Sequence, residues 1–205
     1  MILVNPALSV KVNPTLGATL KLSPGAKIYC LGDSLSNGTY NQALRTLLGR
    51  GYMVVEVGTG SNTVVQMLAR LDADVINTPA DCVVVWGGVN DIAGDATAVA
   101  IEGNLQSIYT ACHTAGLVVV AINITPFKGD GTWTADRQVV LETVNTWIGA
   151  TAANVEYVVD MYALLEDPGE ADTLLAAYDS GDHIHLSTAG YNLVASTLYS
   201  QVTWR

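Results

Sequence analysis

Three side chains at opposite ends of this chain have the types needed for nucleophilic acyl transfer. Ser34 lies in Gly32-Asp33-Ser34-Leu35, directly after the apolar run from Ala26 to Leu31, while Asp182 and His185 lie in Asp182-His183-Ile184-His185-Leu186. A serine hydroxyl is a poor nucleophile and needs a base to take its proton during attack. Imidazole can accept that proton and later return it to a leaving alcohol, which makes His185 the candidate base. Asp182, three residues earlier, can fold back onto the other ring nitrogen, fix the tautomer and stabilise the imidazolium that forms. Gly-Asp-Ser alone is ordinary turn chemistry. The distant carboxylate and imidazole make it a catalytic candidate.

Other polar residues compete for these roles. His183 is adjacent to Asp182, too close for easy side-chain contact in an extended loop, and His113 sits mid-helix and reads as structural. Asp33 reads as a cap of its own turn, and Asp91 as a cap or turn residue. Acyl transfer also needs donors aimed at the oxyanion of the tetrahedral intermediate. The candidates are the amide of Gly60 in Gly58-Thr59-Gly60-Ser61-Asn62 and the side-chain amide of Asn90 in Gly87-Gly88-Val89-Asn90-Asp91. A third is the backbone amide of Ser34, expected at the positive end of a following helix. No Cys/His cluster has zinc-site spacing, and Asp130-Gly131 reads as a turn rather than a calcium loop. The chemistry so assembled calls for no metal and no cofactor.

These residues need a frame that brings them together. Apolar runs at Ile28 to Leu31, Tyr52 to Val57, Cys82 to Trp86, Leu117 to Ile124 and Val155 to Met161 read as strands covered on both faces, as in a parallel sheet. Between and after them lie helical stretches at about 37–50, 61–71, 97–115, 134–152 and 187–202, the last capped by Ser187. The fold class is α/β, a three-layer α/β/α sandwich with about five parallel strands. Ligands of such sheets bind at the carboxyl ends of the strands. Ser34, Gly60 and Asn90 follow the first three strands, and the Asp182/His185 loop follows the last, so all should open on one edge.

The chain has 205 residues, enough for one domain with a substantial core. Half of it is hydrophobic and its net charge is −10, which argues against disorder and against nucleic-acid partners. No apolar run approaches the roughly 20 residues needed to span a bilayer. Met1 to Pro6 lacks a basic segment and apolar core, so no signal peptide is expected; a cytoplasmic chain and a secreted one freed of its leader both fit. Cys30, Cys82 and Cys112 read as small buried hydrophobes. Residues 1–24 read as an extended arm and 25–205 as the catalytic domain, because Val4-Asn5-Pro6-Ala7-Leu8 recurs as Val12-Asn13-Pro14-Thr15-Leu16 ahead of an alternating stretch. The arm either packs on its own domain or joins subunits into a homo-oligomer. Trp86, Phe127 and Trp133, near loop ends, read either as core packing or as contacts for an acyl chain or sugar ring.

The chain resembles the SGNH hydrolases, also called GDSL esterases/lipases. The matching blocks are Gly32-Asp33-Ser34-Leu35, the Gly60 turn, Gly88-Val89-Asn90-Asp91 and Asp182-His183-Ile184-His185-Leu186, in the family's order. The resemblance implies a flavodoxin-like strand order 2-1-3-4-5, Ser34 as nucleophile, and Asp182 with His185 completing the triad. It also implies Gly60 and Asn90 as oxyanion donors, beside the Ser34 amide read from its position. The second block departs from the pattern: Glu56 and Val57 precede Gly58 where an asparagine is common, which bears on how that loop is tethered. The activity implied is that of a serine esterase; family membership names no substrate, and the leading choice here is O-acetyl groups on carbohydrate, ahead of other short-chain acyl esters, small-molecule ones included. The alternative is a non-catalytic carbohydrate-binding or assembly module that keeps the fold.

Overall fold

The computed structural model describes residues 11–12 and 22–204; the rest of the expected arm lies outside the described residues. The strands are β1 (Lys11–Val12), β2 (Lys27–Gly32), β3 (Met53–Gly58), β4 (Cys82–Trp86), β5 (Val118–Ile122) and β6 (Tyr157–Val159), with a separate hairpin of β7 (Glu166–Asp167) and β8 (Glu170–Leu174). β2 to β6 form a parallel sheet in the order β3-β2-β4-β5-β6, which is 2-1-3-4-5 counted from β2. β1 adds a short antiparallel edge, pairing Lys11 with Val158 and Val12 with Tyr157.

Crossover helices cover both faces. α1 (Tyr40–Leu48) packs on α7 (Thr188–Gln201), while α2 (Val64–Leu71), α4 (Ala98–Thr114) and α5 (Ala135–Ala150) pack in sequence on the other side. The short helices α3 (Val89–Ala93) and α6 (Tyr162–Leu165) follow β4 and β6. Central β4 and β5 are wholly buried, which is why their sequences, CVVVW and VVVAI, show no alternation. β3 departs from the expected two-sided burial: only Val54 is fully covered, because β3 is an edge strand. Three caps set helix starts, with Thr97, Thr134 and Ser187 side chains accepting from the amides of Ala100, Arg137 and Gly190.

Leu22, inside the stretch read as arm, is buried; its amide donates to Thr203 O, and its carbonyl accepts from Tyr52 Oη. The β7–β8 hairpin has no counterpart in the sequence reading, since strands of two and five residues rich in acid lack an apolar period. Among the described residues no helix is long and apolar enough to cross a membrane.

Candidate active site

The turn bearing Ser34 is built by close packing at two glycines. A Cβ on Gly32 would lie 2.1 Å from Trp86 O, and one on Gly58 would lie 2.4 Å from Asn37 N. Only glycine lets the ends of β2, β3 and β4 close beneath residues 33–38. The turn is tied by Asn37 N donating to Asp33 O, Gly38 N to Leu35 O, and Leu35 N to Asp33 Oδ1 at 2.9 Å. Asp33 thus caps its own turn, as expected. It is fully buried, and burial pushes its carboxyl up to about 7 against the pull of the Leu35 amide, with the Asp91 charge adding to the rise.

One expectation is corrected here. α1 begins at Tyr40, six residues after Ser34, so the Ser34 amide does not stand at a helix N-terminus. The intervening turns occur because Asp33 satisfies the Leu35 amide with its side chain, and this local bond competes with helix formation. The amide nevertheless has no hydrogen-bond partner among the described residues, and neither does that of Gly60.

The loop before α7 brings His185 and Asp182 to Ser34. His185 Nε2 lies 2.8 Å from Ser34 Oγ, and His185 Nδ1 lies 2.6 Å from Asp182 Oδ2. Asp182 Oδ1 accepts from the amides of His185 at 2.8 Å and Ile184 at 3.1 Å, and from Ser180 Oγ at 3.2 Å. Partial burial opposes ionisation of Asp182, but the His185 ring and these amides outweigh it and hold its carboxyl down to about 2. With the Nδ1 proton given to Asp182, Nε2 is the lone-pair nitrogen facing the serine hydroxyl.

Asn90 stands in the first turn of α3 and donates one amide hydrogen to Asn62 O at 3.1 Å, which leaves its second for a ligand. Its neighbour Asp91 is a cap, and for a different element than its own: Oδ2 accepts from Val64 N at 2.9 Å, closing the start of α2. Burial raises the Asp91 carboxyl.

Arg70 was not legible in the sequence. Its Nε donates to Asn62 Oδ1 at 2.9 Å, Nη1 to Val57 O at 2.6 Å, and Nη2 to Gly32 O at 2.8 Å, while Nη1 also pairs with Asp74. This guanidinium ties the loop of Gly60, through Asn62, to the ends of β2 and β3. Glu56 accepts from Asn41 Nδ2 at 3.1 Å. The only signal in the sequence was a lone charged residue, Arg70, in the last turn of a largely apolar helix.

The remaining candidates fall outside the cluster. His113 lies in the last turn of α4 rather than mid-helix, with Nδ1 3.0 Å from Glu156 Oε1. His183 faces Asp179 and Gly129. Trp86 and Phe127 are core residues, Trp86 set edge-on to Tyr40 with ring centroids 5.6 Å apart. Trp133 is half-buried under Lys128 Nζ. The three cysteines are buried and free, and burial pushes the Cys30 and Cys112 thiols up to about 12.

No curated protein matches this sequence. Solved structures share its fold at low identity. A lipase/acylhydrolase from Enterococcus faecalis is similar at 24% identity with a TM-score of 0.71, over 86% of this chain and 95% of that one. A GDSL-like lipase from Bacteroides thetaiotaomicron aligns at 22% identity and a TM-score of 0.72, over 86% and 87%. A mutant acetyl-xylooligosaccharide esterase from Geobacillus aligns at 21% identity and a TM-score of 0.73, over 91% and 98%. The sequence itself matches the GDSL-like lipase/acylhydrolase profile over residues 30–193, from within β2 to within α7. With that match running from the strand ahead of Ser34 to the helix beyond His185, the chain belongs to the GDSL-like lipase/acylhydrolase family and is a carboxylic ester hydrolase.

Proposed function

We propose that Ser34, His185 and Asp182 form the triad of a serine esterase that removes short acyl groups, O-acetyl groups on carbohydrate foremost. Ser34 Oγ attacks the ester carbonyl carbon as its proton passes to His185 Nε2. The carbonyl oxygen becomes an oxyanion held by the amides of Ser34 and Gly60 and by Asn90 Nδ2. Collapse breaks the bond to the alcohol oxygen, which takes the proton from Nε2 and leaves as the free alcohol. Water then repeats the sequence on the acyl-serine, releasing the acid and restoring the hydroxyl.

The observation that carries this reading is the relay of 2.8 Å and 2.6 Å contacts from Ser34 through His185 to Asp182. Short acyl groups fit the openness of the site: the His185 and Asp182 side chains are 41% and 52% exposed, and Gly60 is exposed. With Trp86 and Phe127 committed to the core, neither lines an acyl tunnel. The likeness to an acetyl-xylooligosaccharide esterase supports acetylated sugars as the first substrates to try.

The test is release of acetate from acetylated xylo-oligosaccharides and of p-nitrophenol from an acyl-length series, by the wild type and by Ser34→Ala. Hydrolysis that declines with acyl length and disappears in the variant is expected. Undiminished hydrolysis in Ser34→Ala overturns the assignment; sugar binding without turnover favours a non-catalytic module.

A further inference from the structure

We propose that His183 is a positioning residue for this reaction, holding the Asp182–His185 pair in register with Ser34 by clamping its loop to the loop after β5. The proposal rests on the triad reading given above. Residue 183 has φ +67°, in the left-handed region that a histidine enters at a cost and that glycine or asparagine enters more readily. This bend lies between Asp182 and the two amides, of Ile184 and His185, that return to the Asp182 carboxylate. A glycine would serve a backbone need alone. The imidazole does more.

The His183 ring lies between two neighbours, and its contact with Asp179 is a close polar approach that lacks hydrogen-bond geometry. Asp179, whose carboxylate is only 9% exposed, accepts from the Gly181 amide at 2.8 Å and the His183 amide at 3.0 Å through Oδ1, and its Oδ2 lies 3.0 Å from His183 Nδ1. On the other side the ring rests on Gly129, where a Cβ would come within 2.8 Å of His183 Cγ and 3.0 Å of Cδ2. Gly129 is itself anchored, since Lys128 N donates to Asp172 O and Asp130 N to Phe127 O. The Asp182–His185 pair is half-exposed and rides on a loop tip, so packing alone does not hold it. His183 adds a lateral contact to the Ser180 N–His185 O hydrogen bond and the buried Leu186, which anchor the same loop.

The test compares His183→Gly and His183→Asn with the wild type in the full chain. Glycine keeps the left-handed bend and removes the ring; asparagine keeps the bend and offers an amide to Asp179 and Gly129. His183→Gly is expected to lower kcat about 10- to 100-fold with KM within about twofold, and His183→Asn to recover most of that loss. The second readout needs no turnover: the low-field proton resonance of the His185–Asp182 bond, assigned by its disappearance in His185→Gln. It is expected to broaden in His183→Gly and to persist in His183→Asn. A His183→Gly variant with wild-type kcat or an unbroadened resonance overturns the positioning role and leaves the triad standing. A wild type without Ser34-dependent hydrolysis overturns the triad reading, while the resonance still decides for or against the clamp.

Discussion

Asp182 holds His185 at two points, with Oδ2 2.6 Å from the ring nitrogen and Oδ1 accepting the residue's own amide at 2.8 Å. The double grip fixes both the loop and the imidazole that it carries. Asp182→Asn keeps an acceptor for the amides and so keeps the loop, but it cannot stabilise an imidazolium. Its kcat is expected to fall about 10³- to 10⁴-fold on p-nitrophenyl acetate, with an unchanged circular dichroism spectrum. Because hydrogen bonds hold the Asp182 carboxyl at about 2, it stays ionised across the working range, and any loss of activity between about pH 4 and 8 belongs to another group.

Asp33 makes stability depend on pH in the opposite direction to most carboxylates. Its carboxyl ordinarily titrates at 3.8 and burial lifts it to about 7, so the folded chain keeps a proton that the unfolded chain releases. The stability this contributes is complete below the unfolded value and is lost as pH rises through the folded one. Asp33→Asn removes the dependence. Between about pH 4 and 8 the wild type is expected to lose on the order of 1–3 kcal/mol relative to the variant, measured by urea unfolding at each pH. Parallel pH curves for the two proteins would contradict a buried, protonated Asp33.

The proposed oxyanion donors separate into one that a side chain carries and two that the backbone carries. Asn90→Ala deletes its donor, and kcat is expected to fall about 10²- to 10³-fold with little change in KM. Gly60→Ala keeps the backbone amide, and its new Cβ would meet nothing within 4 Å. Thermal unfolding of Gly60→Ala should therefore be unchanged or slightly raised, by about 0.4–1 kcal/mol. Gly58→Ala is the contrast, since its Cβ would strike Asn37 N at 2.4 Å and the Ser34 turn must shift.

Arg70 links the ends of β2 and β3 to Asn62, and Asn62 O receives the Asn90 side chain. Arg70→Ala is expected to cost about 2–4 kcal/mol of stability, because several polar partners lose a charged donor at once. Arg70→Lys restores charge but not the planar fork, so it should recover only part of the stability. If the tether also orients Asn90, both variants lower kcat about 10-fold at temperatures where they remain folded, as initial rates will register.

Much of this protein was legible in its residues because the controlling forces are local. A parallel strand covered on both faces must be apolar throughout, so β4 and β5 announce themselves, and the parallel direction of the strands puts the loops after β2, β3 and β4 on one edge. The spacing of three between Asp182 and His185 is likewise local: a short turn suffices to join carboxylate and imidazole. Where β3 sits, at the sheet's edge and only partly covered, was not legible, since an edge strand next to a crossover helix can be as apolar as a central one.

The sequence by itself determined the layer architecture and the residue types of the site, through hydrophobic period, glycine placement and short-range spacing. Tertiary packing alone sets that His185 reaches Ser34 across 151 residues, that Trp86 and Phe127 turn inward, that Arg70 joins Asn62 to the ends of β2 and β3, and that the His183 ring lies on Gly129. Each of those depends on how distant segments pack, and packing contacts between segments leave no periodic mark on either one.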